Sequence, residues 1–218
     1  MKRGGIAPGA EFDPGCRRCP RLARFLDDIR ETHPDYHCRP VATFGQARHR
    51  LLVVELAPGL HGANRTGRPF TGDHAGILLY RTLHAHGFAS RAESVSANDG
   101  LRLVNCRITN AVKCLPPGNK PLPAEVRQCN RYLERELHAL KPQSVVVALG
   151  AIAHGAVLRA CGLQPAAGRF AHGAEHGLPG PLALLDSFHC SRLNTNTGRL
   201  TPAMFNRVFA RARHLIGA

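Results

Sequence analysis

Ser144-Val-Val-Val-Ala-Leu149, followed at once by Gly150, is the stretch that decides how this chain folds. It is too short for a buried helix, and its three valines favour extended backbone. A strand that is apolar at every position has both faces covered, as in a parallel sheet with helices on each side. Gly150 opens a helical stretch running to about Cys161. The same alternation repeats outward. Leu51 to Leu56, bounded by Arg50 and Ala57-Pro58-Gly59, reads as a second buried strand; Leu101 to Val112 and Pro181 to Asp186 read as two more. Helical spacing recurs from Cys16 to about Ile29, where His33-Pro34 ends it, and over about His74–His86, Pro123–Leu140 and Pro202–Ile216. Strands alternating with helices predict an α/β single-domain three-layer sandwich, with a central, mostly parallel four-stranded sheet flanked by helices. The Gly- and Pro-rich residues 1–15 are expected to be irregular. The His- and Gly-rich stretch 168–180 is expected to be a loop or hairpin.

Composition narrows the function. The chain has 218 residues, 44% of them hydrophobic, enough for one domain with a sizeable core. No apolar run approaches the roughly 20 residues of a membrane helix, and the basic start MKRGG leads into no apolar signal region. The expectation is a cytoplasmic monomer. Lys and Arg number 29 against 15 Asp and Glu, a net charge of +14, and only four of the 29 are lysines. The arginine fork grips phosphate oxygens in pairs, so a polyanion, nucleic acid first, is the expected partner. Eight cysteines in such a compartment argue for metal ligation over disulfides.

Polar segments fall at the carboxyl ends of the expected strands, where ligands bind on open α/β sheets. They are Glu55-Leu-Ala-Pro-Gly59, Thr109-Asn-Ala-Val-Lys-Cys114 and Phe188-His-Cys-Ser-Arg-Leu-Asn194, with Gly67-Arg-Pro-Phe-Thr-Gly-Asp73 between the first two. Cys16 and Cys19 form a Cys-x-x-Cys pair, and Cys114 and Cys129 stand in basic surroundings far along the chain. Spacing alone permits a four-thiolate zinc site or an iron–sulfur cluster.

Together these segments resemble the uracil-DNA glycosylase superfamily, specifically its family 5 (type b) iron–sulfur enzymes. The resemblance runs from Cys16 to about Ala203: ELAPGLHGANRTGRPFTGD is similar to the family's first motif, TNAVKCLPPGNKP to its cluster-adjacent strand and loop, and HCSRLNTNTGRLT to its final motif. It implies a catalytic domain over residues 16–218 and a [4Fe–4S] cluster on Cys16, Cys19, Cys114 and Cys129. It further implies excision of uracil, and of deaminated bases such as hypoxanthine, from DNA at the start of base-excision repair, and hence a nucleoid-associated protein. The cluster would pin the N-terminal helix to the Cys114–Cys129 loop, placing Arg17, Arg18, Lys113 and Lys120 to face phosphates.

An extruded base must be read in isolation. Ala57, Pro58 and Gly59 would line its pocket. Phe70 suits a stacking wall or is a core residue after a proline turn. The Asn110 amide can pair with the uracil edge or close a turn. His189 is the candidate donor to the departing base. The family pattern His-Pro-Ser reads His189-Cys190-Ser191 here, which frees the backbone before Ser191. Ser191 and Arg192 suit DNA phosphates, and Leu193 matches a residue that wedges into the vacated stack. Many superfamily members carry a water-orienting Asp or Asn where this chain has Ala57. Asp73 is the candidate in its stead, or the cap of the helix that follows. Asn64 and Asn196 are weaker ones. Glu55 replaces a small residue, with no evident role. The rival reading is a non-catalytic nucleic-acid-binding iron–sulfur protein, which leaves the polar strand ends unexplained.

Overall fold

The computed structural model describes residues 12–217. In chain order the elements are α1 (Pro20–Thr32), β1 (Phe44–Gly45), β2 (Leu51–Glu55), α2 (Ala63–Thr66), α3 (His74–Ala85), β3 (Cys106–Asn110), α4 (Pro123–His138), β4 (Val145–Leu149), α5 (Ala151–Ala160), β5 (Glu175–Leu178), β6 (Leu182–Ser187), α6 (Arg192–Asn196) and α7 (Pro202–Ile216). The sheet order is β1-β3-β2-β4-β6-β5. Its centre, β3-β2-β4-β6, is parallel, and β1 and β5 add antiparallel edges.

Side chains alternate between faces along a strand, and here both faces are apolar. Leu51, Val53, Val145, Val147 and Leu185 face α3 and α7 through Leu79, Tyr80, Leu83, Phe205 and Phe209. Leu52, Val54, Val146, Ala148 and Leu184 face α4 and α5 through Leu133, Leu137, Ala153 and Val157. The result is the three-layer sandwich that the valine run implies. A smaller cluster around Leu22, Val112, Cys129 and Tyr132 attaches α1 to the carboxyl end of the sheet.

The sheet has six strands, not four. The two additional strands carry little sequence signal: β1 is two residues long, and β5 is Glu-His-Gly-Leu, with only Leu178 buried. β5 forms the hairpin expected within 168–180. The strand expected over Leu101–Val112 is confined to Cys106–Asn110, because Asn105 takes a positive φ of 49° and breaks the extension before it. The first helix begins at Pro20, where proline's missing N–H costs nothing, so Cys16 and Cys19 lie before it in irregular chain. Of the segment expected to be irregular, residues 1–11 fall outside the described range, and Pro14-Gly15 form a turn. Among the described residues no helix is long and apolar enough to cross a membrane.

Candidate active site

Parallel register sets the floor of the site. Glu55 closes β2 directly opposite Asn110, which closes β3. Glu55 is 7% exposed and Asn110 1%. Both atoms of the Asn110 amide, and Oε2 of Glu55, are buried without a hydrogen-bond partner among the described residues. Unpaired buried polar groups are rare and costly, so they mark a place prepared for something else.

A wall comes from the Gly67–Asp73 loop. Phe70 is buried at a positive φ of 52°, a strained position for an aromatic residue. The loop is locked there from both sides. Arg68 donates a fork to Asp99, with Nη1–Oδ1 at 3.0 Å and Nη2–Oδ2 at 2.6 Å, and Tyr80 Oη donates to the Pro69 carbonyl at 2.8 Å. Burial works to raise the Asp99 carboxyl, but Arg68 and the N–H groups of Leu101, Val95 and Ser96 outweigh it and hold the group well below the usual range. Beneath the Phe70 carbonyl sits Gly76, where any Cβ would collide with that oxygen.

His189 arrives on the loop after β6 and stacks on Phe70, with ring centroids 5.9 Å apart at 26°. Its Nε2 lies 3.4 Å from Glu55 Oε1. Burial pushes the Glu55 carboxyl up to about 6 against the opposing pull of His189, with the nearby Asp73 adding to the rise. Three contacts hold the His189 backbone in place. Asn194 Nδ2 donates to the His189 carbonyl at 2.8 Å, the Phe188 N–H donates to His172 Nδ1 at 3.1 Å, and His172 stacks on Phe188. The His172 segment is in turn braced by buried Asp186, which bonds His154 Nδ1 at 2.8 Å and His176 Nε2 at 3.0 Å.

The remaining expected residues fall around this centre. Asp73 caps α3, its Oδ1 accepting from the Gly76 N–H at 2.9 Å, while Oδ2 packs against Gly62. Ala57 and Pro58 are buried and Gly59 half-buried; Ala57 turns toward Leu22 and the cysteine cluster. Ser191 caps α6, and the exposed Arg192 and Leu193 open it, Leu193 at 72% exposure. Asn64 is buried and bonded to the Cys38 sulfur, which takes it away from the floor. Lys113 does not face solvent: it is 1% exposed and paired with Glu136 at 2.8 Å. Arg17 is exposed but tied to Asp27.

Cys16, Cys19, Cys114 and Cys129 line one cavity, with Leu22, Val112 and Tyr132. Arg21 fixes it by clasping Glu125 at 2.8 and 2.7 Å, joining α1 to α4. Burial, then the charge of Glu125 and Cys16, raises the Cys19 thiol. Burial and the other three sulfurs push Cys114 well up. Cys129 reaches about 11 through burial, though it accepts the Lys113 N–H at 3.2 Å. The opposed ionisation of Cys19, Cys114 and Cys129 suits a bound cationic centre, which would turn that repulsion into attraction.

Residues 42–213 match the model of the uracil DNA glycosylase superfamily. The chain belongs to that superfamily. It is 48% identical over 207 residues to the type-5 uracil-DNA glycosylase of Thermus thermophilus, covering 93% of this chain and 94% of that one. The corresponding protein of Mycobacterium bovis is 43% identical over 210 residues, 93% of this chain and 78% of the other. That of Pyrobaculum aerophilum is 42% identical over 201 residues, covering 90% and 87%. Of the residues expected from the sequence, Asn110, Phe70 and His189 come together around Glu55. Sequence reasoning noticed Glu55 only as a departure, and it missed Asn194, His172 and the Arg68–Asp99 pair, whose partners lie 5 to 31 residues away along the chain.

Proposed function

We propose that this superfamily member is a monofunctional DNA glycosylase that hydrolyses the N-glycosidic bond of uracil in DNA, opening base-excision repair. Deaminated purines such as hypoxanthine are further substrates. The Asn110 amide carries this reading: buried, in register with the end of β2, and with neither atom bonded among the described residues. An amide donates from one atom and accepts at the other. Uracil offers a carbonyl beside a ring N–H and satisfies both, whereas cytosine presents the reverse pattern.

The extruded base stacks on Phe70, whose ring already lies along His189. The backbone of Ala57, Pro58 and Gly59 borders it. His189 donates to the base as negative charge develops there. Asp73 keeps one oxygen on its helix and uses the other to orient water. Ser191 and Arg192 bind backbone phosphate, and Leu193, projecting from the start of α6, fills the vacated stack. Lys113, the lysine beside the site, is ion-paired and buried, so hydrolysis is favoured over Schiff-base chemistry.

Cys16, Cys19, Cys114 and Cys129 would hold a [4Fe–4S] cluster. Four thiolates fit either a tetrahedral zinc or an iron–sulfur cluster, and the likeness of the chain to type-5 uracil-DNA glycosylases favours the iron–sulfur core. When bound, the cluster supplies a rigid cross-link between α1, the Cys114 loop and α4.

The test is a duplex with one uracil opposite guanine, incubated with the protein, treated with alkali and run on a denaturing gel. Cleavage at the uracil only after alkali is expected. An intact strand under excess protein, with duplex still bound, would favour the non-catalytic reading.

A further inference from the structure

Glu55 occupies the place where the mechanism needs no anion. Its Oε1 sits on His189 Nε2, the nitrogen nearest the pocket floor, and its Oε2 is buried with no partner among the described residues. Beside it stands the unpaired Asn110 amide that reads the base. Among the described residues, the titratable groups acting on it lie on the loop after β6 and at the cap of α3. His189 comes from the loop after β6 and Asp73 from the cap of α3. The buried Cys190 thiol is pushed up by burial and by Glu55 and Asp73. Among the described residues His189 is the one basic group bonded to it. A carboxylate here would face the charge that develops on a departing base, and in a water-poor pocket that repulsion is strong. A neutral acid would instead offer an O–H to the same atom.

We propose that Glu55 is a catalytic acid of this site, protonated when the base is seated, and that it hands its proton to the base as the glycosidic bond breaks. The inference rests on the glycosylase reading above. The electron pair of the C1′–N bond leaves with the base, and the Glu55 proton moves to a base oxygen or ring nitrogen. Water adds to C1′ and releases a proton to solvent, from which the Glu55 carboxylate is recharged. Atoms and charge balance without any further reactant. Burial keeps the acid neutral into the mildly acidic range, with a carboxyl value of about 6. Binding of an electron-rich base raises that further, in the manner of a carboxylic acid placed in an apolar pocket.

The experiment is single-turnover excision of uracil from duplex between pH 5 and 9, for the unaltered protein and for Glu55→Gln. General acids contribute roughly 10²–10⁴-fold, and a hydrogen-bonding amide retains part of this. The unaltered rate is expected to fall about tenfold per pH unit above neutrality. Glu55→Gln donates a hydrogen bond at every pH but transfers no proton. Its profile is expected to be flatter, roughly tenfold below the unaltered protein at pH 5.5 and equal or faster at pH 8.5, so that the two curves cross. Circular dichroism of the variant checks its fold. Parallel profiles, or an unaltered rate that rises with pH, would overturn the acid role while leaving the glycosylase reading standing. Absence of excision by the unaltered protein at every pH would overturn both.

Discussion

Glu55 and Asn110 stand opposite each other at the ends of adjacent parallel strands, and each carries buried polar atoms that nothing among the described residues satisfies. Strand ends in the interior of a sheet are where the backbone is best paired. Leaving side chains unpaired there costs stability that a purely structural protein would recover with apolar residues. The pair is therefore a region where function and stability pull apart.

Replacing Asn110 with Leu removes two unsatisfied atoms and keeps the number and branching of the side-chain heavy atoms. The variant is expected to unfold at higher urea, by about 1–3 kcal/mol, and to lose uracil excision by at least about a hundredfold, the weight of a lost polar contact in a site built around it. Urea melts and single-turnover rates measure the two effects. An active Asn110→Leu variant would remove Asn110 from base recognition.

Glu55 links stability to pH. Its folded value of about 6 lies above its ordinary 4.5. A raised carboxyl favours the folded state while protonated. That contribution is complete below pH 4.5 and is lost as pH rises through 6. The loss is about 2 kcal/mol, at 1.36 kcal/mol per pKa unit. Glu55→Gln, neutral throughout, should match the unaltered protein at pH 4 and exceed it by about that amount at pH 8. Denaturant melts at both values check the sign.

The interior of the fold was legible because Val145–Leu149 and Leu51–Val54 are apolar on both faces, as a covered parallel sheet requires. The edges were not. β5 reads Glu-His-Gly-Leu because one side of it meets solvent. Residue type and strand-end position put Asn110 and His189 forward in the sequence, and the structure brings both to Glu55 at one end of the sheet. Arg68 carried no individual signal in the sequence, because its partner Asp99 lies 31 residues on. Charge pairing across loops leaves no periodic trace. The same limit misplaced Lys113, which looked like a phosphate contact until Glu136 and Thr109 were seen to enclose it.

Asp99→Asn is expected to destabilise the protein by about 3–5 kcal/mol, because it strands the buried Arg68 guanidinium. Phe70 would relax from its positive φ, so excision should fall even at temperatures where the fold survives. Thermal melts and rates at 15 °C separate the two losses. Removing both charges with Arg68→Met in the Asp99→Leu background should restore much of the melting temperature without restoring activity.

Cys114→Ser is expected to lose iron and visible absorbance together, since a hydroxyl is a poor substitute for the thiolates that such clusters require. With α1 no longer held to the Cys114 loop, protease cleavage near Arg17 and Arg18 should quicken. Metal analysis of the purified protein and limited trypsin digestion provide the measurements. Stoichiometric zinc in the unaltered protein would replace the cluster assignment with a structural zinc site.

Leu193 projects into solvent at the start of α6, 72% exposed. It has no packing to lose, so Leu193→Ala should change stability by less than about 0.5 kcal/mol. Its effect on excision depends on how firmly the target base is held. A uracil opposite adenine is paired and must be pushed out, whereas one opposite guanine is mismatched and already loose, and unstacking costs a few kcal/mol at most. The variant should therefore lose roughly ten- to a hundredfold on the paired uracil and much less on the mismatch. It should be close to normal on a single strand, where there is no stack to fill. Single-turnover rates on the three substrates decide it. A uniform loss across all three would place Leu193 in phosphate-side docking instead of in the wedge.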